Sequence, residues 1–369
     1  MKVGIITYQY AYNYGAILQC LALQRALGSI GINAEIINYL HPQSKKLPFY
    51  RGWGFSKLHF FETFPQRLIG LRYEKSMRKK IDSFRNKYLN LSTPCYTMDE
   101  IRNIVDDYDA IVAGSDQIWR FEEPPVYFLE WGKLYKGKRI SYAPSCGMVE
   151  QPLDNVEDVS QWLQRFDYLS VRDDFSKSIV NRVTGRLPDV VADPTLLVDL
   201  MDIYKNLEIP HKEYIFVYIL GEEIAGEHKN IIRSIRDKYG NIPIVAAIAS
   251  AHKPKRIHWA DYKVWDVDPG EWLFLLSNAK FVYTDSFHCT LFALKHKKPF
   301  LTYFTESKRS PRLIDMAERY AISSCIVQSV KDASEKRFWD ELDYEKIDHL
   351  INTHVEKSYK FLKNALFPE

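Results

Sequence analysis

Short apolar runs alternate with segments of helical periodicity along most of the chain. KVGIIT, AEIINYL, DAIVAG, RISYA and VVAD in the first half are rich in β-branched residues, as are YIFVYIL, IPIVAAIA, KVWDV, KFVYT and PFLTYF in the second. Each has strand length and gives way to polar or small residues, the pattern of buried strands. Between them, stretches such as AILQCLALQRALGSIG and EWLFLLSN space apolar residues three and four apart, which predicts helices. Strand–helix alternation predicts parallel sheets covered by helices. The pattern falls into two α/β sets, residues 1–200 and 212–340, joined by a linker from about Leu197 to Lys212. A long amphipathic helix, Tyr344 to Leu366 within 344–369, can lean back on the first half. Two halves around a cleft is the expected architecture.

The residues following the strands carry the candidate chemistry, because ligands of parallel α/β sheets bind at the carboxyl ends of strands. The first strand–loop–helix unit places Asn13 and Gly15 in the turn before a helix. It lacks G-x-G-x-x-G, so a dinucleotide cofactor has no support. Ser115, Asp116 and Gln117 follow DAIVAG, Ser145 and Gly147 follow RISYA, and Arg172 with Asp173 ends YLSV, before a helix from about Ser176. In KFVYTDSFHCTLFALKHKKPF, a strand turns through TDSFH into a helix that Asp285 or Ser286 can cap. His288 then stands in the first turn, between Phe287 and Cys289. Helix N-termini hold anions, and a histidine there can donate to an oxyanion or move a proton. A buried histidine satisfied by a carbonyl fits the position equally well. Asp116 reads as either a base or a turn cap, and Gly15 as either an acceptor contact or a tight-turn residue. Asp193, before Pro194, reads as structural, and Glu271 as a helix cap.

Composition narrows the setting. A net charge of +3 is too small to imply a nucleic-acid partner, and 46% hydrophobic residues supply ample core. The five cysteines are scattered without a C-x-x-C pair, which argues for a reducing compartment and against disulfides or structural zinc. His288 and His296 flank one helix at a spacing unsuited to a shared metal, so no metal site is expected. MKVGIITYQY reads as a strand rather than a signal peptide. The cytoplasm is the expected location. A basic insertion at about 45–90 adds a second option, contact with the inner face of the membrane. Lysines and arginines from Lys45 to Lys87 are interleaved there with Trp53, Phe55, Phe60, Phe61, Phe64 and Tyr73. Such a segment lies on anionic lipid or forms a solvated helical hairpin, and the hairpin carries more weight.

NYGAILQ, GSDQIW, SYAPSCG, VRDDFS, ADPTLL and EWLFLLSNAKFVYTDSFHCTLFALKHKKPF occur in this order. Together they make the chain resemble the polysaccharide pyruvyl transferase family. The resemblance implies two Rossmann-like domains facing a cleft, as in GT-B glycosyltransferases. It implies transfer of the enolpyruvyl group of phosphoenolpyruvate onto two hydroxyls of a sugar, giving a cyclic pyruvate ketal and phosphate. The acceptor would be a capsular or exopolysaccharide sugar, free or on a lipid-linked precursor, and no cofactor beyond the donor substrate would be needed.

Many family members carry arginine two residues before the histidine, where this chain has Ser286. The clamp for carboxylate or phosphate must then come from Arg172 first, and from Arg309 and Arg312 second. The expected donor site is thus Arg172, Ser286, Phe287, Cys289, Arg309 and Arg312. His288 is the expected acid or phosphate stabiliser, and Asp116 the base, with Asp173 and Asp285 as rivals. Asn13, Gly15, Ser115 and Gln117 are expected on the acceptor. Loss of Arg172 is expected to weaken donor binding with the fold intact. Two other readings stay open: a GT-B glycosyltransferase using a nucleotide sugar, and a non-catalytic carbohydrate-binding protein of envelope assembly.

Overall fold

The computed structural model describes residues 1–40, 57–132, 135–148, 155–248, 257, 259–305, 310–338 and 341–367, with the backbone alone over 57–71. Among these, β1 (Val3–Ile6), β2 (Ala34–Ile36), β3 (Ala110–Ala113) and β4 (Lys138–Ser141) form a parallel sheet in the order β2-β1-β3-β4. The short parallel pair β5 (Ser170–Val171) and β6 (Asp189–Val190) continues it through a bridge from Ile140 to Tyr168. The second sheet is parallel and six-stranded. Its strands are β7 (Ile215–Tyr218), β8 (Ile244–Ala247), β9 (Tyr262–Val264), β10 (Phe281–Thr284), β11 (Phe300–Tyr303) and β12 (Ile326–Val327), in the order β12-β11-β10-β7-β8-β9. Most of these strands are buried on both faces, which is why they read as continuous apolar runs rather than alternating ones.

Helix α1 (Tyr14–Ser29) explains how the halves meet. Its sequence is apolar on nearly every side, and Ile17, Leu18, Leu21 and Leu23 are all at 0–1% exposure. A helix with no polar stripe must be covered all round. One side packs on the first sheet and the other on the second domain, where Tyr14 stacks on Trp272 at 5.5 Å and donates to the Val267 carbonyl at 3.2 Å.

The basic insertion departs from the expected hairpin. α2 (Lys57–Tyr88) is one helix, and its C-terminal half straps the two domains together. Ser76 donates to Asp266 at 2.6 Å, Lys80 to Glu271 at 3.0 Å, and Tyr73 stacks on Trp265 at 5.3 Å. Arg78 lies over the Tyr12 ring at 4.2 Å, so these cations are engaged with protein. Residues 45–56 and the side chains of 57–71 lie outside the described residues.

Further helices cover the sheets: α3 (Met98–Ile104), α4 (Val156–Gln164), α5 (Asp174–Thr184), α6 (Pro194–Leu197), α7 (His228–Tyr239), α8 (Pro269–Ser277), α9 (Phe287–Lys295), α10 (Pro311–Arg319) and α11 (Val330–Lys336). α5 starts two residues before the expected Ser176, because Asp173 caps it by accepting the Ser176 N–H at 2.7 Å. α12 (Tyr344–Leu366) returns to the first domain: Ser358 Oγ accepts the Ala192 N–H at 2.8 Å, and Lys138 donates to the carbonyls of Ala365 and Leu366 at 3.2 Å. No helix among the described residues is long and apolar enough to cross a membrane.

Candidate active site

Because all strands of each sheet are parallel, every β-to-α turn of a domain emerges at one edge, and the two edges converge. From the second domain, α9 brings Phe287 and His288 at its N-terminus, and α10 brings Arg312. From the first, the turns after β3, β5 and β6 bring Asp116, Arg172 and Asp193.

Arg172 is the hub. It is 4% exposed and donates from Nη1 to Asp193 Oδ2 at 2.9 Å and from Nη2 to Asp116 Oδ1 at 3.4 Å. Its guanidinium lies 4.4 Å from the Phe287 ring centre, and that of Arg312 lies 5.7 Å from the same ring. Asp193 also accepts the N–H and O–H of Thr195 at 3.0 and 2.7 Å, at the start of α6. The His288 ring lies against the first turn of α1, so closely that a Cβ on Gly15 would stand 2.3 Å from Nδ1. Its Nε2 is buried and 3.4 Å from Asp193 Oδ2, without the alignment of a hydrogen bond. Arg312 Nε is likewise buried without a partner. Arg172 Nε is a third such atom, and both arginines line one crevice. A buried, unpartnered polar group is costly, so two unpartnered guanidinium donors at that crevice point to a ligand.

The electrostatics divide the carboxylates. Burial works most strongly against ionised Asp116 and Asp193. In Asp116 the Arg172, His288 and Arg312 groups outweigh it, and in Asp193 His288 and Arg172 do, so both sit below the usual range. Asp285 goes the other way. Burial raises its carboxyl to about 6, although it accepts the N–H groups of Leu220 and Gly221 at 2.7 and 2.6 Å. Arg312 is pushed down to about 10, by burial first and then by Arg172.

Several expected residues have other roles here. Ser286, not Asp285, caps α9, accepting the Cys289 N–H at 3.4 Å. That uses the Cys289 donor, and its thiol is fully buried, so Cys289 offers nothing to a donor substrate. Burial raises the thiols of Cys289 and Cys146, and neither is poised as a nucleophile. Asn13 caps α1 through the Ala16 N–H at 3.2 Å. Gly15 lies inside α1 rather than in a turn before it; its lack of a side chain admits the His288 ring. Ser115 is buried and internally bonded, accepting from Asp116 N–H at 2.6 Å and from Thr7 O–H at 3.0 Å. Gln117 is half-buried, one residue beyond Asp116. Glu271 completes a capping box with Asp268. Arg309 lies outside the described residues.

Asp193, which reads as structural from its place before Pro194, touches both Arg172 and His288. The only local signal was its position after a buried strand. Asp315, Tyr320 and His354 of α12 line the back of the crevice, and nothing local in the sequence marks them. Among the described residues, no group of three or more His, Cys, Asp or Glu side chains is placed to hold a metal ion.

Two Rossmann-like domains with parallel sheets, their carboxyl edges meeting at one crevice and a terminal helix crossing back, define a protein of the GT-B fold. Solved structures share that fold at low sequence identity. UDP-GlcNAc 2-epimerase from Neisseria meningitidis is 12% identical with a TM-score of 0.54, covering 100% of each chain. UGT89C1 of Arabidopsis thaliana is 11% identical with a TM-score of 0.53 and 98% of each chain covered, and MnaA of S. aureus is 14% identical with a TM-score of 0.52, covering 99% of this chain and 96% of that one. No curated protein matches the chain. The sequence model of the polysaccharide pyruvyl transferase family matches residues 13–305, and the chain belongs to that family.

Proposed function

We propose that this protein transfers the enolpyruvyl group of phosphoenolpyruvate to a saccharide, forming a cyclic ketal and releasing phosphate. The observation that carries the reading is the buried cationic crevice. Arg172 and Arg312 flank Phe287, each with an unpartnered Nε, and the α9 N-terminus presents His288, whose Nε2 stands 3.4 Å from Asp193. A ligand with a carboxylate and a phosphate on one carbon matches two guanidinium groups and a helix N-terminus.

In the reaction, the methylene carbon of the donor takes up a proton and becomes methyl. A sugar hydroxyl oxygen bonds to the central carbon, the bond from that carbon to the phosphate oxygen breaks, and a second hydroxyl closes the ring. Of the two hydroxyl protons released, one balances the methyl group and the other leaves with phosphate. His288 Nε2 supplies the proton, with Asp193 orienting the ring. Asp116 is a poor base because Arg172, His288 and Arg312 hold it ionised. Asp285, whose carboxyl lies at about 6, suits the hydroxyl-deprotonating role.

The test is incubation with phosphoenolpyruvate and a panel of free and lipid-linked saccharides. Phosphate release is followed, together with a mass gain equal to pyruvate less one water. Neither signal, combined with stabilisation by a nucleotide sugar, would move the assignment to glycosyl transfer.

A further inference from the structure

A second surface at the carboxyl edge of the first sheet is unused by this chemistry. β1 runs into Thr7–Tyr12 and β3 into Gly114–Arg120, and their parallel pairing sets the two loops side by side. Tyr8 donates to the Gln117 carbonyl at 3.0 Å. It packs edge-on against buried Tyr127 at 5.1 Å and against Tyr10 at 6.2 Å, so two half-buried phenol rings are braced from behind. Next to them, Arg120 Nε donates to Glu123 Oε1 at 3.1 Å, and Glu122 stands 3.7 Å from its Nη1. The Arg120 stem and Gln117 rest on Gly147, where a Cβ would come within 3.2 Å of Arg120 Cγ and Cδ and 3.3 Å of Gln117 Cδ. Gly147 has φ +77°. The glycine that ends SYAPSCG is therefore suited both to its backbone and to laying these side chains flat. Asp116, adjacent in the chain to Gln117, joins this surface to Arg172.

Braced aromatic rings beside a fixed guanidinium–carboxylate pair match a pyranose. Its C–H face packs on a ring, and its hydroxyls donate to a carboxylate and accept from a guanidinium. A nucleotide would stack as well, but its phosphates would meet Glu122 and Glu123. We infer that Tyr8, Tyr10, Gln117, Arg120 and Glu123 form the saccharide acceptor subsite. The inference rests on the pyruvyl-transfer reading, because an acceptor held there borders the donor crevice through Asp116.

Methyl glycosides of common hexoses and N-acetylhexosamines, followed by saturation-transfer NMR without donor, test it. At least one glycoside is expected to bind wild type and Tyr10→Phe. In Tyr10→Ala and Arg120→Ala its affinity is expected to fall about tenfold, the loss of one packed contact. Phosphoenolpyruvate binding by calorimetry should be equal in all four proteins, which also verifies folding. Absence of glycoside binding by wild type, or equal binding by the alanine variants, overturns the subsite. Failure of wild type to bind phosphoenolpyruvate overturns the donor assignment instead, while the glycoside arm still decides the subsite.

Discussion

The two edges that meet at the crevice use charge in different ways. On the first domain, Arg172 donates through Nη1 and Nη2 to Asp193 and Asp116. On the second domain, Arg312 lies over the Phe287 ring, with no carboxylate paired to it among the described residues. Both guanidinium groups keep a buried Nε without a partner, so each has a donor left for a ligand, while Arg172 alone also braces carboxylates. The difference teaches that one buried arginine can hold a site together and still serve a ligand, and that the hydrogen-bond inventory, atom by atom, separates the two roles. The two carboxylate contacts of Arg172 also lead us to expect that its removal costs stability as well as donor affinity.

The largest effect is expected from Arg172→Met, which takes the guanidinium from buried Asp193 and part-buried Asp116 and costs about 3–5 kcal/mol of stability. Arg312→Met, which strands no buried partner, is expected to melt near wild type while losing donor affinity. Equal melting temperatures for the two variants would erase the contrast between the edges. Gly15→Ala comes next. A methyl 2.3 Å from His288 Nδ1 forces the ring to move against a helix backbone, and the expected loss in kcat is about a hundredfold. Steady-state kinetics and a crystal structure of the variant would check it.

Two pH effects separate Asp285 from the back of the crevice. If Asp285 is the base, it must be ionised, so activity should fall as pH drops below about 6, and this limb should vanish with the activity in Asp285→Asn. His354 at the back accepts from Tyr320 through Nδ1 at 2.9 Å and donates toward the Val190 carbonyl through Nε2 at 3.3 Å; burial, then Arg319, lowers it to about 4. Its depressed affinity for protons means that unfolded chain binds them first. Stability should therefore decline as pH falls from about 6.5 to 4, by up to about 3 kcal/mol from this group. His354→Gln should show a shallower decline by thermal melting, with the part due to His296, also at about 4, remaining. The smallest effect belongs to the strap: Lys80→Ala removes a half-exposed ion pair with Glu271, which Lys205 also contacts, and should cost less than about 1 kcal/mol.

Strands, their parallel arrangement, the two halves and the returning helix were legible in the sequence, because burial on both sheet faces leaves apolar runs and a helix with one polar side leaves periodicity. The His288 turn was legible too, since a strand, a cap and a helix start are local events. The contacts of Asp193, Gly15 and Asp285 were not. Each depends on partners far along the chain: Arg172 and His288 for Asp193, the His288 ring for Gly15, and the Leu220 and Gly221 amides for Asp285. A carboxylate's proton affinity follows from which charges and donors stand within a few ångströms. Residue type and local spacing determined which groups reach the edges of the sheets. Only the tertiary structure decided which of them neutralise one another and which stay open to a ligand.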